Sequence, residues 1–147
     1  MTEFAANDLA DVLAPWLGKT CDEILRREHD WTFQFGDAGL VVASCPWRIL
    51  AESGIALADE DDGQQFGLPK PVNGAEKATA LLRGRRVVSI QVSQISGDLK
   101  VQFEGERTLE LFNNSSGYEA WQATVKRDGK TANIVAQGGG QISISND

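Results

Sequence analysis

Twice along this 147-residue chain, a short stretch with apolar residues at helical spacing gives way, just past a glycine, to segments in which apolar and polar residues alternate. Helical spacing buries one stripe of a cylinder and alternation buries one face of a pleated strand, so a chain that switches between them must pack helices onto sheet. The first stripe is Leu9, Val12, Leu13, Trp16 and Leu17, with Asn7 as N-cap and Asp8 in the first turn, where the helix dipole favours a carboxylate. Pro15 lacks an amide and clashes with the preceding turn, which predicts a kink or stop near Ala14. The second stripe starts at Asn73 with Glu76 three residues on, a capping-box pattern, buries Ala78, Leu81 and Leu82, and ends at Gly84.

After the first helix, Trp31, Phe33 and Phe35 alternate with polar residues, and Leu40 and Val42 return across the Gly36-Asp37-Ala38-Gly39 turn. Arg48 to Leu50 and Gly54 to Ala58 are further strands. After the second helix, Val88, Ile90 and Val92, then Leu99, Val101 and Phe103, then Leu109 and Leu111, then Tyr118 to Val125 read the same way. Laid over each other, Gly18-Lys19 matches Gly84-Arg85, Ile24 matches Ile90, Asp30-Trp31 matches Asp98-Leu99, Phe35 matches Phe103, and Leu40 and Val42 match Leu109 and Leu111. The match assigns Thr20 to Arg27, whose composition alone suits a helix, to a strand. The expected architecture is α+β, one domain over 1–147, in which two related halves (about 7–58 and 73–126) each place one helix before an antiparallel β-meander. A loop over 59–72 joins them. The glycine-rich tail, about 137–147, is expected to be flexible, with a final hairpin through Gly138-Gly139-Gly140 as the alternative.

Composition narrows the function classes. The first residues carry Glu3, Asp8 and Asp11 with no Lys or Arg, unlike an export signal, and no run of about 18 apolar residues occurs to span a membrane. A cytoplasmic location is expected, with Cys21 and Cys45 reduced. The formal charge of −7 repels nucleic acid and acidic membrane surfaces and favours a basic protein partner. A homodimer through an edge strand or an exposed aromatic patch is a further possibility.

No residue set forms an active site. His29, the only histidine, falls in the Glu28-His29-Asp30 connection, without close ligand spacing to Cys21 or Cys45 for zinc. Counting from Asp59, a calcium loop fails at its sixth and twelfth positions. Gly138-Gly139-Gly140 lacks the lysine and helix of a phosphate cradle. No catalytic residue, metal or cofactor is therefore assigned.

Candidate binding residues are acids and aromatics in non-periodic segments: Asp59, Asp61 and Asp62 of the acidic run, Phe66 beyond it, Trp47 and Arg48 after Pro46, and Tyr118, Glu119 and Trp121. The two tryptophans read as core-edge residues or as interface anchors. The first expectation is a non-enzymatic domain presenting the acidic loop to a basic protein. The alternative is a small-molecule or catalytic cleft between the halves, lined by Trp47, Arg48, Tyr118, Glu119 and Trp121. Trp47-Arg48, the segment from Asp62 to Pro69, the Gly97-Asp98-Leu99 turn and the segment from Ser116 to Trp121 together resemble an uncharacterised family of small bacterial proteins known only as a domain of unknown function. The resemblance covers about Leu17 to Trp121 and supplies no activity or catalytic residues. It implies an immunity-like antidote to a toxin, as some of that family's relatives look to be.

Overall fold

A computed structural model describes residues 2, 3 and 6 to 146, with side chains described from Leu9 onward, so the Asp8 side chain lies outside that range; the first helix already includes Ala6, which places Asn7 inside it rather than at its cap. The mixed α and β composition is as expected, and sheet dominates. The strands are β1 (Thr2–Glu3), β2 (Glu23–Arg26), β3 (Trp31–Gln34), β4 (Gly39–Ala43), β5 (Trp47–Ala51), β6 (Gly54–Ala58), β7 (Val87–Val92), β8 (Leu99–Phe103), β9 (Arg107–Leu111), β10 (Trp121–Arg127), β11 (Lys130–Ala136) and β12 (Ile142–Asn146). Helix α1 (Ala6–Leu13) breaks into a 3-10 turn over Ala14–Trp16, where Pro15 requires it. Helix α2 (Gly74–Leu82) is capped by Asn73, whose side-chain oxygen accepts the Glu76 amide at 3.1 Å.

The strands form two antiparallel sheets, one in the order β1-β12-β11-β10-β4-β3-β2 and the other β6-β5-β9-β8-β7. Three-strand meanders are present as β2-β3-β4 and β7-β8-β9, but the expected continuation of each meander is not. The β5-β6 hairpin leaves β4 and pairs with β9, while β10 leaves β9 and pairs with β4. The helices cross over too, α1 packing on β7 and α2 on β2. Neighbouring segments usually pair, and the alternation within Trp47 to Ala51 is equally satisfied by either sheet, so nothing local in the sequence distinguished the partner. The assignment of Thr20 to Arg27 to a strand holds over β2, and just before it Thr20 bridges Arg86, flanked by Gly18 N–H to Val87 O at 2.9 Å and Val87 N–H to Lys19 O at 2.8 Å.

Two further corrections follow from register. Phe33 and Trp31 pair with Val41 and Ala43, as Val101 and Leu99 pair with Leu109 and Leu111. Val41 and Ala43, buried like Leu109 and Leu111, thus take the places expected for Leu40 and Val42, which are only half-buried. The run Leu40-Val41-Val42-Ala43 is apolar throughout and sets no phase, and a one-residue slip exchanges the two faces. In the tail the described residues form the hairpin named as the alternative: β12 pairs with β11 from Ile142↔Ala136 to Asn146↔Ala132 and buries Ile142 and Ile144. Those two isoleucines supply the burial that the three preceding glycines cannot. The core lies between the sheets and under α1 and α2, with Trp16 stacked on Phe35 at 4.3 Å and Phe35 facing Phe103 at 6.4 Å between ring centroids.

Candidate interaction site

Antiparallel succession places the connections 27–30, 44–46, 59–73, 93–98, 112–120 and 137–141 at one end of the sheets. This end carries Asp59, Glu60, Asp61, Asp62, Asp98 and Glu119, together with two of the most exposed aromatics, Phe66 (67%) and Tyr118 (83%). The residues expected to bind are distributed over it unevenly.

The acidic run begins as a 3-10 turn over Asp59–Asp61 and is largely satisfied from within. Asp61 accepts the Ala58 amide at 2.9 Å, Asp62 accepts the Gly74 amide at 2.7 Å at the start of α2, and Asp59 accepts the Trp47 amide at 3.4 Å. The second Asp62 oxygen takes the Arg26 guanidinium, which lies over the Trp31 ring at 5.6 Å. Three acids thus staple the loop to the sheet, and Glu60 is the exposed one. Beyond them the loop is pinched by Gly63 N–H to Val72 O at 2.8 Å and Val72 N–H to Gln64 O at 2.7 Å. Its tip is Phe66-Gly67-Leu68. Phe66 is left-handed at φ 48°, a conformation costly for a residue with a bulky side chain, and both Phe66 and Leu68 are exposed.

The second cluster joins three loops. Asp98 accepts the Asn113 amide at 2.7 Å, the Asn113 side-chain amide donates to Gln137 O at 2.8 Å, and Gly139 N–H donates to Ser115 O at 2.9 Å. Ser115 Oγ also accepts the Gly117 and Tyr118 amides at 3.0 and 2.9 Å. A Cβ on Gly138 would lie 2.4 Å from the Gly117 backbone and one on Gly140 2.3 Å from the Ile95 carbonyl oxygen. The glycine run therefore exists for close approach between backbones. On this platform stand Tyr118 and Ile95, the latter 89% exposed. Ile95 and Leu68 were missed from the sequence because single apolar residues in polar loops carry no periodic signal; the glycine triplet was the available clue to the platform.

Trp47 and Trp121 stand below these surfaces rather than on them, each 1% exposed. They occupy like positions, Trp47 opposite Leu111 and Trp121 opposite Ala43. The Trp121 indole N–H donates to Gly97 O at 2.9 Å, tying the platform to the core. Trp47 meets the Trp31 and Phe33 rings edge-on, and its indole N–H has no hydrogen-bond acceptor among the described residues. Arg48 lies on the five-stranded sheet, donating to Glu110 at 2.7 Å with its guanidinium 5.1 Å from the Phe112 ring. Glu119 accepts from the Gln122 amide at 2.8 Å. The five residues expected to line one cleft are thus dispersed between core, sheet face and loop. Large indoles were drawn inward by the area they bury.

A hollow of about 320 Å3 beside the acidic loop borders His29, Asp30, Cys45 and Asp59. Burial, with Asp59 and Asp98 nearby, pushes the Cys45 thiol up to about 12, so it is protonated and unreactive as a nucleophile near neutrality. His29 is exposed beside Glu28 at 3.6 Å. Among the described residues no group of three or more His, Cys, Asp or Glu is placed to hold a metal, and no helix is long and apolar enough to cross a membrane. No protein-family model, curated protein or solved structure matches the chain.

Proposed function

We propose that this is a non-enzymatic protein-interaction domain whose acidic, loop-bearing end receives a basic protein partner. The observation that carries the reading is Phe66, held left-handed and two-thirds exposed at the tip of a pinched loop. Strain kept in a solvent-facing aromatic is rarely explained by folding and is common at ligand clamps. The surrounding acids steer a cationic partner, while Phe66 and Leu68 supply the apolar contact. An immunity-like antidote, acidic and matched to a basic toxin, is one form of this reading and rests on the sequence resemblance.

The finer description of the chain as two copies of one helix-plus-meander unit belongs with this proposal. What supports it is the common strand order of β2-β3-β4-β10-β11 and β7-β8-β9-β5-β6 and the like placement of Trp47 and Trp121. On that reading the acidic loop and the 112–120 segment are the pieces that differ, and both lie at the proposed contact end.

The test is affinity capture from the native host with wild-type protein and with Phe66→Ala/Leu68→Ser. A stoichiometric basic protein, released by salt and lost with the double substitution, is expected. Equal capture by both proteins, or no stoichiometric partner, overturns the proposal, and light scattering of the isolated protein separates a foreign partner from a second copy of the chain.

A further inference from the structure

We infer that the hollow between the first helix and the tip of the β10-β11 hairpin binds a small carboxylate with an apolar body, its head held between Arg127 and Lys130. This site lies away from the acidic loops, at the opposite end of β10 and β11. Its volume is about 660 Å3, inside the range of roughly 300–1,000 Å3 typical of small-molecule sites.

The lining follows from register. Val125 pairs with Ala132 and Arg127 with Lys130, and residues two apart on a strand share a face. An apolar pair and then a cationic pair therefore succeed each other on one face of the ribbon, with Val12 and Pro15 as the opposing wall. Val125 is buried and Arg127 exposed, so the core ends between them. Lys126, one residue out of phase, does not line this hollow.

Like charges directly across an antiparallel pair repel. Asp11 and Asp128 also border the hollow. Yet neither Arg127 nor Lys130 forms an ion pair among the described residues. Asp128 is placed by the turn itself, at φ 51° before Gly129 at φ 77°, the Asp-Gly pattern of a tight hairpin. Two opposed cations at the mouth of an apolar-floored hollow are complementary to an amphipathic anion: a carboxylate matches the guanidinium fork and takes the ammonium, while its hydrocarbon covers Val125, Ala132, Val12 and Pro15.

The test is a titration of the full-length protein with octanoate, followed by backbone amide correlation spectra, with octanol (the same body without charge) and acetate (the charge without a body) as comparisons. Saturable shifts confined to Val12 and to residues 125–132 are expected, with octanol and acetate about tenfold weaker or more. Arg127→Gln/Lys130→Gln should lower octanoate affinity by about tenfold, whereas Lys126→Gln should change it by less than about twofold. Should the double variant fail to fold, Lys130→Gln alone serves, and its ligand-free melting temperature should equal or exceed that of the wild type because the opposed charges are gone. Equal binding of octanol and octanoate, undiminished octanoate binding by the Gln variants, or shifts located elsewhere would overturn the assignment without touching the proposal for the acidic end.

Discussion

The two crossings between the sheets make the same journey by different means. From β4 the chain crosses in three residues, Ser44-Cys45-Pro46; from β9 it takes nine, Phe112 to Ala120. Each then delivers a tryptophan to the edge of the other meander. The short crossing has no room for display and is backed by the acidic loop through Asp59. The long one folds onto two other loops, gives Trp121 an acceptor in Gly97 and lifts Tyr118 into solvent. Two tryptophans buried at meander edges are thus reached by unequal crossings, and the surplus chain becomes surface.

The comparison can be broken most forcefully at its anchors. Trp47→Ala and Trp121→Ala should each cost about 3–5 kcal/mol in urea denaturation, since both empty a fully buried site; a markedly smaller loss at either would end their equivalence. Gly138→Ala, which drives a Cβ into the Gly117 backbone, should cost about 1–3 kcal/mol and change the environment of Tyr118. Among the described residues no glycine lies against the short crossing in this way.

Trp→Phe substitutions sharpen the contrast. Trp121→Phe leaves the Gly97 carbonyl without its donor and should cost about 1–3 kcal/mol more than Trp47→Phe, where no hydrogen bond is lost. On the loop backing the short crossing, Phe66→Gly should stabilise the protein by about 1 kcal/mol, because glycine adopts the left-handed conformation freely. A loss of stability there would mean that Phe66 is held by packing and would weaken its reading as a contact residue.

The smallest expected effect concerns pH. Because burial raises the Cys45 pKa to about 12, the unfolded chain releases that proton first as pH rises. Stability therefore declines above the ordinary thiol range, near pH 8.5. Cys45→Ala should flatten that decline in denaturation curves between neutral and alkaline pH, leaving the share of Cys21, whose buried thiol is shifted in the same direction.

Local pattern determined a good deal of this protein. Pro15 fixed where α1 turns, Asn73 and Gly84 bounded α2, and alternation placed most strands within a few residues. The acidic loop was legible from its lapse in periodicity, and Phe66 as its exposed aromatic. Other choices lay outside any window of sequence. Alternation says that a strand has a buried face without saying which strand lies beside it, so the exchange of β5-β6 and β10 between sheets was decided only by assembly. A uniformly apolar β4 could not state its own register, and the indoles of Trp47 and Trp121 go inward because that is where the largest apolar area is buried. Nor could three glycines announce whether they loosen a tail or let three backbones touch; that depends on Gly117 and Ile95, residues about 20 and 45 positions away in sequence, which only the folded chain brings alongside.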